Sequence, residues 1–134
     1  MNLATIRFLT YEEIIAINNA IINKYGGKKG LRDKALLESA IHQPLATFND
    51  TILHQTIHDM AAAYFFHIIK NHPFLYGNKR TGLVTAFSFL RYNELHLHIN
   101  EELAFQLAIK TALGEYSKQY ISQVFKENTI VLQQ

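Results

Sequence analysis

Apolar residues recur at helical spacing along most of the chain, and the polar residues between them mark where helices start and stop. Thr10, followed three residues later by Glu13, makes a capping box, and the helix it opens carries Ile14, Ile17, Ile21 and Tyr25 on one face until Gly26 and Gly27 end it. A second helix runs roughly from Lys34 to His42 on a stripe of Leu36, Leu37, Ala40 and Ile41, and Pro44 stops it. After a loop through Thr47, Asn49 and Asp50 the pattern predicts a third helix, about Leu53 to Lys70. Ile57, Ala61, Tyr64, Phe65 and Ile68 line one side of it, with Phe66 and Ile69 on another. So wide an apolar surface predicts a central helix contacted from several directions.

A fourth helix starts near Asn78 and runs to about Tyr92, with Leu83, Ala86, Phe87 and Leu90 at helical spacing. Leu95 to Ile99 then alternates Leu and His, a two-residue period that reads as a short strand or extended segment. Asn100 caps a fifth helix with Leu103, Leu107 and Ala108 inward; Gly114 breaks it, and Ser117 caps a sixth carrying Tyr120, Ile121, Val124 and Phe125. At the ends, Ala4 to Leu9 reads as a weak strand or an extended arm, and Ile130 to Gln134 is too short to place. The expectation is a single all-α domain over residues 1–134, of about six helices, with the third and fourth at its centre.

Composition narrows the classes. A chain of 134 residues with 49% hydrophobic content fits one domain with a sizeable core. The absence of cysteine excludes disulfides, thiol catalysis and Cys-based zinc sites. No apolar run approaches the roughly 20 residues that span a bilayer, and Met1 to Arg7 lacks the plan of a signal peptide, so the expectation is a cytoplasmic protein with no membrane partner. A formal charge of +2 is too slight to imply direct nucleic-acid binding. Lys24, Lys28, Lys29, Arg32 and Lys34, set among glycines, read as a solvated loop and helix start, and Gly26 to Gly30 lacks the spacing of a phosphate loop.

The candidate chemistry lies between the two central helices, in His72-Pro-Phe-Leu-Tyr-Gly-Asn-Lys-Arg-Thr-Gly82. Pro73 and Gly77 resist a regular helix, so this begins as a loop. The first turn of the helix that follows has N–H groups without intrahelical partners and the positive end of the macrodipole, which together seat an anion. Gly77 allows close approach, Asn78 can cap or donate, and Lys79, Arg80 and Thr81 add two cations and a hydroxyl. Cations there oppose the macrodipole at about 0.3–1 kcal/mol each, which calls for an anionic partner. Phosphate is favoured, with Arg80 as the bidentate clamp. His72 stands on the incoming loop, and an imidazole there can take a proton from an attacking hydroxyl while the helix start holds the phosphate. Phe74 reads as a plug that holds the loop in the core.

The other histidines carry less. His54 and His58, four apart on the expected third helix, read as surface residues without a third metal ligand, since Asp59 points to a different face. His96 and His98 share one face of an extended segment.

At His72, Phe74, Gly77, Asn78, Lys79, Arg80 and Thr81 the chain resembles the Fic/Doc family, and most closely its Doc, or death-on-curing, branch, in which Lys follows the Asn and a second arginine is missing; that position is Leu83. The stretches Phe8 to Thr10, Tyr25 to Gly27, Leu31 to Asp33, Leu36 to Ala40 and Pro44 to Phe48 resemble the same branch in the same order. The resemblance implies a toxin of a toxin–antitoxin pair that transfers phosphate from ATP to a Ser or Thr hydroxyl of a protein, elongation factor Tu in that branch, under restraint by a separate antitoxin. It implies His72 as base, and Gly77, Asn78, Lys79, Arg80 and Thr81 as the phosphate grip, with Lys79 and Arg80 counted among the catalytic groups. Where the family carries an acid for magnesium, this chain has Tyr76, and a phenol is a poor ligand for an ion that prefers hard anionic oxygens. Two alternatives remain: AMP transfer by the same site, and a catalytically silent module that binds a nucleotide or peptide.

Overall fold

The computed structural model describes residues 2–132, so Gln133 and Gln134 of the tail lie outside the described residues. Among these are six α-helices and two small antiparallel strand pairs: α1 Tyr11–Tyr25, α2 Lys34–His42, β1 Thr47–Phe48, β2 Thr51–Ile52, α3 Ile57–Asn71, α4 Asn78–Tyr92, β3 Leu95–Leu97, α5 Glu101–Ala112, α6 Lys118–Glu127 and β4 Thr129–Val131. Most helices begin where a side chain takes an orphan N–H. Thr10 and Glu13 close the capping box of α1, Asp33 caps α2, Asn100 caps α5 and Ser117 caps α6.

α3 is the central helix. Met60 to Phe65, Ile68 and Ile69 are all buried, and α2, α4, α5 and α6 pack around it. Tyr64 and Phe65 meet Phe89 and Phe125 at ring-centroid distances of 5.2 and 5.7 Å. Aromatic contacts of this kind add to area burial by about 0.5–1.5 kcal/mol each. The Tyr64 hydroxyl accepts the Leu9 N–H at 3.1 Å, and burial pushes its pKa up to about 12.

Several boundaries differ from the sequence pattern. α3 starts at Ile57 rather than near Leu53, because Thr56 and Asp59 form a second capping box that the apolar pattern does not reveal. The loop after α2 contains the β1–β2 hairpin, whose turn residues Asn49 and Asp50 have φ of 51° and 63°, the left-handed pair that a tight two-residue hairpin requires. The face that α4 buries is centred on Gly82, Thr85, Ala86, Phe89 and Leu90, leaving Phe87 at the surface. A Cβ on Gly82 would lie 3.0 Å from the Ile69 side chain and 3.2 Å from the Phe65 carbonyl oxygen. The missing side chain is thus what lets α4 approach α3 closely. At the N-terminus a short 3-10 turn, Leu3–Thr5, leads into an extended arm whose Arg7 backbone exchanges two hydrogen bonds with the Asn93 side chain. The alternating segment β3 finds its partner in β4.

Candidate functional site

The loop between α3 and α4 is held from three sides. Within it, the buried Asn78 side chain acts like a strand partner: Oδ1 accepts the Phe74 N–H at 2.9 Å and Nδ2 donates to the Phe74 carbonyl at 3.0 Å. Phe74 is 1% exposed, so this pairing plugs the loop into the core. From the α1–α2 connection, the N–H groups of Arg32 and Asp33 both donate to the Pro73 carbonyl, and the Leu75 N–H donates to Gly30. From α1, Nδ2 of Asn18 donates to the Tyr76 carbonyl at 2.9 Å and to the Thr81 hydroxyl at 3.0 Å.

At the loop entrance, His72 closes α3 in the left-handed conformation, φ 52° and ψ 53°, with its N–H bonded to the Ile68 carbonyl and its side chain exposed. At the exit, Gly77 caps α4 with φ 80°, and a Cβ there would press on Ile22 at 3.3 Å and Asn18 at 3.4 Å. The ladder of α4 opens with the Thr81 N–H donating to the Gly77 carbonyl at 2.8 Å, so the N–H groups of Asn78, Lys79 and Arg80 precede it. They form the unspent, positive end of the helix.

Lys79 and Arg80 point outward, and among the described residues neither takes part in an ion pair. Arg80 stacks instead on the Tyr25 ring, its guanidinium carbon 3.8 Å from the centroid, with the Lys24 ammonium 5.3 Å from the same centroid. A cation held by a π face stays available to an anion, because it has not been neutralised.

Two of the side chains expected to grip phosphate face inward. Asn78 is spent on Phe74, and the Thr81 hydroxyl is fully buried against Asn18. Helical geometry explains this: residues 78, 81 and 82 share one face, which packs into the core, while 79 and 80 fall on the opposite side. What Asn78 offers an anion is its backbone N–H. Tyr76 is 55% exposed and lies against Gly27, where a Cβ would be 3.1 Å from its side chain. Among the described residues no group of three or more His, Asp or Glu side chains could hold a metal ion, and the Tyr76 phenol is a poor ligand for magnesium.

Arg32 and Asn18 were not among the sequence candidates. Arg32 is exposed, as a solvated charge would be, but its side chain is engaged: Nε donates to the His72 carbonyl at 2.7 Å and Nη2 to the Asn71 carbonyl at 2.9 Å. Asn18 carried a legible signal, a polar residue at a core-facing position of α1 between Ile14 and Ile21. His54 and His58 are not surface residues. His54 precedes α3 and is 5% exposed, with its imidazole pKa lowered by burial; His58 is half-buried with Nε2 2.8 Å from the Thr129 hydroxyl. A cavity of about 240 Å³ lined by His54, Asp59, Lys118 and Ser122 sits at the opposite end of α3 from His72.

Comparison with known proteins points the same way. A family model described as Fic/DOC family matches residues 8–90. The chain is 32% identical over 123 residues to "Protein kinase doc" of Escherichia phage P1, covering 90% of this chain and 94% of that protein. It is 36% identical over 73 residues to "Toxin Doc" of Mycolicibacterium smegmatis, covering 54% of this chain and 56% of that one.

Proposed function

The chain belongs to the Fic/DOC family, and from that premise we propose that it acts as a Doc-like toxin, transferring phosphate from ATP to a Ser or Thr hydroxyl of a protein. One observation carries the reading: an outward imidazole at the left-handed end of α3 is joined by a pinned loop to the uncapped, cation-flanked start of α4. The acceptor hydroxyl gives its proton to His72 as its oxygen bonds to the γ-phosphorus, and the bond from that phosphorus to the bridging oxygen breaks to release ADP. The N–H groups of Asn78, Lys79 and Arg80 and the two cationic side chains meet the charge on the phosphate oxygens. Gly77 keeps the approach open.

The relative from phage P1 bears the name of a kinase, which supports phosphate over AMP transfer, and the mycobacterial one that of a toxin, which supports the toxin reading. By the same likeness the partners are an antitoxin protein, which restrains the site, and an acceptor such as elongation factor Tu. The place of action is the cytoplasm; no helix of the described residues is long and apolar enough to cross a membrane. Tyr76, exposed in the acidic slot, favours one rival reading, a silent module that binds a nucleotide or peptide without turnover.

Incubation with γ-labelled ATP and cell extract, alongside His72→Ala, Arg80→Ala and Tyr76→Asp, separates these. Transfer by the wild type that is lost in the first two variants is expected. Label transfer surviving His72→Ala ends the base assignment, and transfer gained only in Tyr76→Asp selects the silent module. The mass added to the acceptor distinguishes phosphate from AMP.

A further inference from the structure

A residue that carries a side chain enters the left-handed region at a cost of about 1–3 kcal/mol, and it stays there only when its surroundings hold it. His72 is such a residue. Its own N–H is bonded to the Ile68 carbonyl of α3, and the remaining hold comes from another element. The Arg32 guanidinium donates from Nε to the His72 carbonyl at 2.7 Å and from Nη2 to the Asn71 carbonyl at 2.9 Å, while the Arg32 N–H donates to the Pro73 carbonyl at 2.7 Å. Three consecutive carbonyls are thus taken by one residue. The Asn71 carbonyl belongs to the peptide plane before His72, and the His72 carbonyl to the plane after it. Fixing both planes fixes φ and ψ of His72, and with them the direction in which its side chain leaves the backbone.

The clamp is itself anchored. The Asp33 N–H joins Arg32 on the Pro73 carbonyl, Asp33 caps α2 through the Leu36 N–H, and the Asn71 amide donates to the Leu36 carbonyl. Arg32 therefore reaches across from the start of α2 to the end of α3.

We infer that Arg32 is a positioning residue for the His72 imidazole: it does not touch the reacting groups, and it aims the one that does. A purely structural role, completing the C-terminus of α3, needs only a positive charge near the last carbonyls. Aiming His72 needs the planar fork, which spans two carbonyls at once and which a lysine ammonium does not reproduce.

The test compares full-length wild type, Arg32→Lys and Arg32→Ala by thermal unfolding, by φ-dependent couplings and backbone shifts at His72, and by kcat and KM for transfer from labelled ATP. In Arg32→Lys the unfolding midpoint is expected to stay near that of wild type while His72 leaves the left-handed region. In the same variant kcat falls about 100-fold with KM for ATP within about twofold, the signature of a misplaced reacting group. Arg32→Ala shows the same loss with a lower midpoint. Retention of the left-handed His72 in both variants, or full recovery of kcat by lysine, overturns the inference. Only the kinetic arm rests on the proposed phosphate transfer: if wild type transfers nothing, that reading falls, and the His72 couplings still decide the role of Arg32. If Arg32→Ala fails to fold, the lysine variant decides.

Discussion

The guanidinium carbon of Arg80 lies 3.8 Å from the centroid of the Tyr25 ring, which joins the last turn of α1 to the first turn of α4 across 55 residues of chain. The ring orders the cation without supplying a counter-charge. Lys24, 5.3 Å from the same ring, adds a second positive group to that end of the molecule.

Removing the ring should therefore cost affinity for a phosphate ligand. Tyr25→Ala is expected to weaken ATP binding about two- to fivefold, the equivalent of an exposed cation–π contact, and Tyr25→Phe to leave it unchanged. Titration calorimetry with ATP checks this. Equal affinity in all three proteins would show that the stacking does not prepare Arg80 for a ligand.

Asn78 is expected to be worth more to stability than its place in a charged motif implies. Truncation to Ala strands the Phe74 N–H and carbonyl in a buried site, at roughly 1–3 kcal/mol for each group left unsatisfied. Asn78→Asp keeps the acceptor for the Phe74 N–H but sets a second carboxylate oxygen against the Phe74 carbonyl in a buried site, so it should be destabilised as well. Urea unfolding reads both, and a midpoint unmoved by Asn78→Ala contradicts the pairing.

Gly82→Ala tests the α3–α4 approach. An added methyl gains about 1 kcal/mol of helix propensity. It meets the Ile69 side chain at 3.0 Å and the Phe65 carbonyl oxygen at 3.2 Å, and only the side chain can rotate away. Overpacking of about 1–3 kcal/mol should win, giving net destabilisation. A stabilised variant in thermal or urea unfolding would mean that the two helices separate easily.

Folding stability should also fall on mild acidification. Burial drives the His67 pKa down to about 4, aided by the nearby Lys118 ammonium, whose Nζ lies 3.0 Å from His67 Nε2. In the unfolded chain an imidazole titrates near 6.5. Between those values the unfolded state binds more protons, so the stability contributed by the neutral ring is complete above about pH 6.5 and is lost as pH falls toward 4. His54 and His58, also lowered by burial, act in the same direction. Urea unfolding at pH 7.5 and pH 5 should show the loss, and His67→Gln should reduce it. A pH dependence identical in the variant assigns the effect to other groups.

Reading the chain one residue at a time reaches as far as interactions close in sequence reach. The capping box of Thr10 and Glu13, the caps Asn100 and Ser117, and the helix start after Gly77 each depend on groups within four residues, and each is where the pattern places it. Misreadings begin where a residue's partner is distant. Arg32 is a surface charge, as it reads, but its bond to the His72 carbonyl, 40 residues on, is invisible in the sequence, and Asn18 is a lone amide until it meets Thr81, 63 residues away. His54 reads as exposed only if α3 begins early, and the later start that Thr56 and Asp59 impose leaves it buried ahead of the helix.

Periodicity and local capping thus determined by themselves that this is a helical protein with an anion-ready helix start beside a histidine, because backbone propensity and end effects act over one or two turns. Tertiary structure alone decided which motif side chains face out: packing α4 on α3 through Gly82 turns Asn78 and Thr81 into the core and leaves Lys79 and Arg80 to solvent. It alone also decided what holds His72, since a hydrogen bond between residues far apart in sequence exists only after the helices that carry them have docked.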